Sequence, residues 1–84
     1  MHILWTAKAA QQLKLLPQKT QKRVAEKMRH VATLTQAFPV LTKLKDTSAY
    51  KIRVGDYRVI GTLDSGTFMV VIVGHRSKVY KELE

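Results

Sequence analysis

The chain contains no cysteine. Neither a disulfide nor a thiolate metal site can therefore hold it together, and a reducing compartment suits it. Acidic residues are scarce, six against fifteen Lys and Arg. Long apolar runs are missing too. The longest, Phe68 to Val73, falls far short of the roughly 20 residues that a membrane-spanning helix needs. No basic segment followed by an apolar stretch opens the chain, so no secretory signal is read and the expected location is the cytoplasm. Repeats, low-complexity tracts and linkers are absent, and 84 residues fit one domain, 1–84. Chains of about 60 residues bury only about 60% of the surface their unfolded form exposes. This chain is little longer, so its core is thin and a stabilising partner suits it.

The imbalance of charge is the strongest compositional signal. The formal net charge is +9. A small domain this basic repels itself, and a polyanion partner is the usual compensation. Nucleic acid fits best. A charge kept only for solubility is the plainer alternative. Membrane lipid fits worst, because no Trp/Phe/Leu face accompanies the lysines.

Hydrophobic spacing divides the chain in two. His2 to Trp5 reads as a short strand. Thr6 can cap a helix through its hydroxyl. Ala9, Ala10, Leu13 and Leu16 then recur at helical spacing. Pro17 stops that helix and opens the next at its first turn. Val24, Met28 and Val31 form the apolar stripe of a second helix from Gln18 to about Thr35, with Lys19, Lys22, Arg23, Lys27 and Arg29 around it. After Phe38-Pro39 the period changes. Tyr50–Val54, Tyr57–Leu63 and Thr67–Val73 are rich in β-branched and aromatic residues, separated by Gly55-Asp56 and Asp64-Ser65-Gly66. Both separators are hairpin signals. A short helix from Ser77 to Leu83 closes the chain. The expected class is α+β: a short N-terminal strand, a helix hairpin, a three-stranded antiparallel meander and a short C-terminal helix, with the helices on one sheet face.

The segment Tyr50-Lys51-Ile52-Arg53-Val54-Gly55-Asp56-Tyr57-Arg58-Val59 carries the chemistry. Side chains alternate faces along a strand, so Lys51 and Arg53 share one. If Gly55-Asp56 is a two-residue type II′ loop, Arg53 lies opposite Arg58. Lys51, Arg53 and Arg58 then converge on one patch. Opposed like charges cost some tenths of a kcal/mol, up to about 1. A fold-only sequence has no reason to accept that cost, whereas an anion site does; long, splayed, solvated side chains are the alternative. By the same reasoning, Arg58→Ala relieves the repulsion, so stability is expected to hold or rise. A second basic cluster, Gly74-His75-Arg76-Ser77-Lys78-Val79-Tyr80, follows the last strand. Its side of the sheet depends on the register across the second turn. No cluster has metal-ligand spacing, so neither a metal nor another cofactor is expected.

These residues resemble a known family. YKIRVGDYRVIGTLDSGTFMVVIVGHRSKVY is similar throughout to the C-terminal half of RelE/ParE toxins, especially the RelE branch. That pattern has a basic strand, a turn into Tyr-Arg, a hydrophobic strand, then a Gly-x-Arg segment and a late Tyr. The helix hairpin before it fits as well. The resemblance implies a type II toxin that cuts mRNA in the ribosomal A site. It places catalytic roles on Lys51, Arg53, Arg58, Arg76 and Tyr80. Arg53 stands where the best-known member has lysine, and the interval from Arg76 to Tyr80 is shorter than there. It also implies a cognate antitoxin, with the toxin–antitoxin complex binding operator DNA through the antitoxin. The ribosome and mRNA complete the expected partners, and no membrane is among them.

The implied mechanism is 2′-OH attack on the adjacent phosphate. Preorganised cations aimed at developing charge contribute several kcal/mol. Arg53, Arg58 and Arg76 suit that role through bidentate phosphate contacts. Arginine stays protonated and makes a poor base, so Lys51 is the expected general base. Tyr80 is expected to stack on a base or position the hydroxyl. Lys43, Lys45 and His75 are expected RNA contacts, with the exposed Lys and Arg of the second helix as auxiliary ones and His75 a weaker candidate for the leaving-group acid. Two other readings stand beside this one: a ParE-type inhibitor of DNA gyrase, and a non-catalytic module that binds RNA or the ribosome.

Overall fold

The computed structural model describes residues 1–35 and 40–82. In chain order the elements are β1 (His2–Trp5), α1 (Ala7–Lys14), α2 (Gln18–Thr33), β2 (Thr42–Lys43), β3 (Ala49–Val54), β4 (Tyr57–Asp64), β5 (Thr67–His75) and α3 (Arg76–Glu82). The expected break at Phe38-Pro39 and the expected helix end at Leu83 lie outside the described residues. Among those residues, no helix is long and apolar enough to cross a membrane.

Local chemistry accounts for the helix ends. Thr6 is extended, and its hydroxyl accepts from the Ala9 N–H at 3.1 Å, which satisfies one orphan donor of α1. Pro17 caps α2 with φ −53°, and its carbonyl accepts from the Gln21 N–H at 2.9 Å. The Gln21 side chain donates back to the Lys14 and Leu16 carbonyls, tying the two helices at their turn. α2 stops at Thr33, short of the expected Thr35, because Leu34 is already extended.

The strands form one sheet in the order β1-β5-β4-β3-β2. β3, β4 and β5 are the expected meander. Two features were not expected. β1 runs parallel to β5, from His2 beside Thr67 to Trp5 beside Val70. β2 adds an outer rung, Thr42 beside Lys51 and Lys43 beside Tyr50. Two residues are too few for alternation to show in a sequence.

Both faces of the sheet are covered. Ala9 of α1 and Val24, Met28 and Val31 of α2 pack with Ile52, Val54, Val59, Phe68, Val70 and Val73. On the other face, Val79 of α3 packs with Ala49, Ile60 and Ile72. The expectation of all helices on one face is therefore corrected. Val79 is apolar within an otherwise polar seven-residue helix, and Ile60 and Ile72 face away from the hairpin, so α3 covers the apolar ground that α1 and α2 leave open.

A bulge makes the second face possible. Ile60 pairs with Ile72 but Gly61 pairs with Val70, leaving Val71 without a partner. One extra residue reverses the side-chain alternation beyond it. Phe68 and Val70 face the helix hairpin, and so does Val73, while Ile72 turns to α3. Gly61 sits at this step. A β-carbon there would lie 2.6 Å from Phe68 Cζ and collide with the Met69 carbonyl. Overpacking of a filled core costs about 1–3 kcal/mol. Gly61→Ala is accordingly expected to lower unfolding free energy by at least that much in denaturant titration. A loss within experimental error would show that the bulge yields freely.

Candidate functional site

The β3–β4 turn sets the geometry of the site. Gly55 has φ +59°, whereas Asp56 is not in the positive region, the sign pattern of a type II′ turn. Two-residue closure puts Val54 beside Tyr57, Arg53 beside Arg58 and Lys51 beside Ile60. Lys51, Arg53 and Arg58 thus project to one face, as the alternation predicts. Together with Lys27, Val40 and Thr42 they line a recess of about 450 Å³.

Each cation is held differently. Arg58 is buried, only 8% exposed. Its Nη1 donates to the Gly55 and Tyr57 carbonyls, both at 2.8 Å. These bonds fix the guanidinium against the turn and satisfy the turn's own acceptors. Lys51 Nζ donates to the Tyr80 hydroxyl at 3.4 Å and lies 5.8 Å from the centre of that ring. α3 therefore delivers Tyr80 to the lysine across two elements. Gly74, opposite Arg58 in the ladder, lets α3 approach: a β-carbon there would come within 3.2 Å of Val79 Cγ1. Arg53 is exposed beside the short β2.

The remaining predicted residues are dispersed. Arg76 opens α3, and its Nε faces Asp56 Oδ1 at 4.0 Å, an exposed pair of small energetic value. Its backbone N–H donates to the Asp56 carbonyl at 2.8 Å, so it stands at the turn rather than in the recess wall. His75 pairs with Tyr57 in the ladder and meets its ring edge-on at 5.4 Å. The bulge has turned His75 to the face opposite Arg58. Its Nδ1 contacts Ser77 Oγ at 2.8 Å. Lys43 lies beside Tyr50 and so points away from Lys51. Lys45 is exposed in the β2–β3 connection. Sequence reasoning missed Lys27 as a wall of the recess; its only signal was its place among the cations of α2. Among the described residues, no three His, Asp or Glu side chains cluster as metal ligands would.

The sequence matches the family model for the ParE toxin of type II toxin–antitoxin systems over residues 3–80. The chain belongs to this toxin family. No curated protein matches it significantly. The fold of this ParE-family toxin is shared with a chain of the RelB–RelE antitoxin–toxin complex from Methanococcus jannaschii, at TM-score 0.78 and 24% identity over 96% of this chain and 99% of that one. The isolated E. coli RelE toxin matches at TM-score 0.72 and 21% identity, over 98% and 93% of the two chains. The YoeB–YefM complex from Staphylococcus aureus matches at 0.67 and 18%, over 90% and 97%. At these identities the likeness is one of fold.

Arg58 corrects one expectation. Its removal strips the Gly55 and Tyr57 carbonyls of a charged donor, and such losses cost about 1–3 kcal/mol. That exceeds the gain from relieving Arg53. Arg58→Ala is therefore expected to lower the melting temperature, measured by circular dichroism, with Arg58→Lys intermediate. An unchanged or higher value would restore the repulsion reading.

Proposed function

We propose that this ParE-family toxin cuts mRNA on the ribosome. The observation that carries the reading is the Lys51–Tyr80 contact beside a recess walled by Arg53 and Arg58. Lys51 takes the 2′-OH proton. The oxygen then attacks the adjacent phosphorus, the 5′-oxygen departs with a proton from solvent, and a 2′,3′-cyclic phosphate and a 5′-hydroxyl result. Arg58, anchored by the turn, and the exposed fork of Arg53 meet the charge that grows on the phosphoryl oxygens. Arg76 approaches from the turn. The Tyr80 hydroxyl orients the amine and its ring offers a stacking surface. Lys43 and Lys45 act as outlying RNA contacts on separate surfaces. His75, turned to the other face, takes no part in proton transfer. Among the described residues, the lining of the recess holds no carboxylate or histidine to serve as the leaving-group acid, so the ribosome is needed to present and distort the strand.

A cognate antitoxin completes the reading. The structures of similar fold include toxin–antitoxin complexes. A +9 chain favours an acidic segment and speeds its capture. A groove of about 310 Å³ lined by Ile3, Trp5, Leu13, Ala25, Met28, Arg29 and Ala32 suits one face of an amphipathic helix. Inhibition of DNA gyrase, the activity the resemblance attaches to the ParE branch, is the second reading, and the family match favours it.

A ribosome toeprint separates the readings. The wild-type chain should cut mRNA at the A site and leave naked RNA intact. Lys51→Met should lower the single-turnover rate by about 10²-fold or more, the range for loss of a positioned base, and Tyr80→Phe by less. Intact ribosome-bound mRNA together with blocked DNA supercoiling would hand the function to the gyrase reading.

A further inference from the structure

α2 presents a second basic surface to the same edge of the sheet. Arg23, Lys27 and His30 follow one another at spacings of four and three, so they share a helical face. With Glu26, Arg53, Val54 and Gly55 they line a recess of about 370 Å³. Lys27 and Arg53 also line the recess that holds Lys51 and Arg58. The two hollows therefore share a wall.

Arg23 reaches across to the β3–β4 turn. A β-carbon on Gly55 would lie 3.0 and 3.2 Å from its two Nη atoms, so the guanidinium rests against the bare glycine backbone. The ion pairs among the described residues are Lys8–Glu82 and Arg76–Asp56. Arg23, Lys27 and Arg53 thus have no carboxylate partner there, although Glu26 lines the same recess. Arg23 and Lys27 also stand four apart, a like-charge spacing that weakens a helix by a few tenths of a kcal/mol. Among the described residues this arrangement brings folding no ion pair.

We propose that this recess is a second phosphate site, which holds the phosphate of the nucleotide next to the one being cut, on the same RNA strand. The inference rests on the RNA-cutting reading above. A shared wall puts two anion sites side by side, which suits a strand carrying one charge per nucleotide and offers no advantage to a free anion. The forks of Arg23 and Arg53 can each grip a phosphate through two N–H groups. Glu26 trims the positive charge of the hollow, which suits the single charge of a phosphodiester over the double charge of a terminal phosphate. The contact is to backbone, so it is blind to base sequence.

The test uses the full chain and single-stranded RNA with 2′-O-methyl riboses, which cannot be cut. A dinucleotide with one phosphate and a hexanucleotide are titrated by fluorescence anisotropy across a salt series. The hexanucleotide should show the steeper slope. Arg23→Gln with Lys27→Gln should weaken it about tenfold and reduce its log–log salt slope by about 0.7, the signature of one lost phosphate. The loss should be equal for U-rich and A-rich strands. Both replacements are good helix formers at the surface, and a melting curve verifies the fold. Wild-type affinity and slope in the folded double variant would overturn the site. So would retained RNA binding with lost capture of an acidic peptide, which would assign the recess to a protein. Ribosome toeprinting run alongside keeps the two claims apart: cleavage with an unchanged slope removes only this site, and a changed slope without cleavage removes only the nuclease reading.

Discussion

Two arginines stand directly opposite each other across β3 and β4, and the turn that joins the strands anchors one of them. Arg53 and Arg58 are forced together by two-residue closure at Gly55-Asp56. Repulsion alone would splay both into solvent. Instead Arg58 is drawn down against the Gly55 and Tyr57 carbonyls, which solvate its charge in place of water. The turn therefore needs the arginine as much as the arginine needs the turn. Arg53, left without such acceptors, stays exposed and movable. One fixed cation and one adaptable cation follow from a single loop.

The same loop gathers the rest of the basic surface. Arg23 of α2 lies over Gly55, and Arg76 of α3 reaches Asp56. Elements from both faces of the sheet thus meet at a two-residue turn. α3 is held to the sheet by Val79 on a small apolar cluster. Its far end is tied by Glu82 to Lys8 and Gln12 of α1, while Gln12 Oε1 accepts from the Val73 N–H beyond the end of β1. Tyr80 sits between those two anchors. Its distance to Lys51 is accordingly a property of the whole sheet and of no single segment.

Much of this was readable in the sequence, for identifiable reasons. Alternation and a two-residue turn are local rules, so the convergence of Lys51, Arg53 and Arg58 followed from ten consecutive residues. Helix starts at Thr6 and Pro17 followed from cap chemistry. What the sequence left open or misread has a different cause. The side taken by His75, the second apolar face and the position of α3 all depend on the bulge at Val71, and nothing in the run from Phe68 to Val73 distinguishes an extra residue from a paired one. The burial of Arg58 depends on carbonyl oxygens, which every sequence has and no sequence displays. Lys27 and Arg23 reach the site from α2, roughly thirty positions away in the chain, and only packing brings them there.

The unpaired Val71 has a consequence for how such a chain can change length. Loss of that residue would tidy the ladder between β4 and β5 and leave every pair from Ile60–Ile72 to Tyr57–His75 as it stands. Loss of the paired Ile72 or Val73, with the bulge kept, would instead slip the rest of the strand by one place: Gly74 would leave the seat of Val79, and an imidazole would stand opposite Arg58. A residue gained or lost in the connection between β2 and β3, by contrast, moves an exposed loop and leaves the orientation of β5 untouched. Indels in this chain are therefore not equivalent. Lineages can drift in length around residues 44–48, while the count of paired residues between Gly66 and Arg76 behaves as a reading frame for the site.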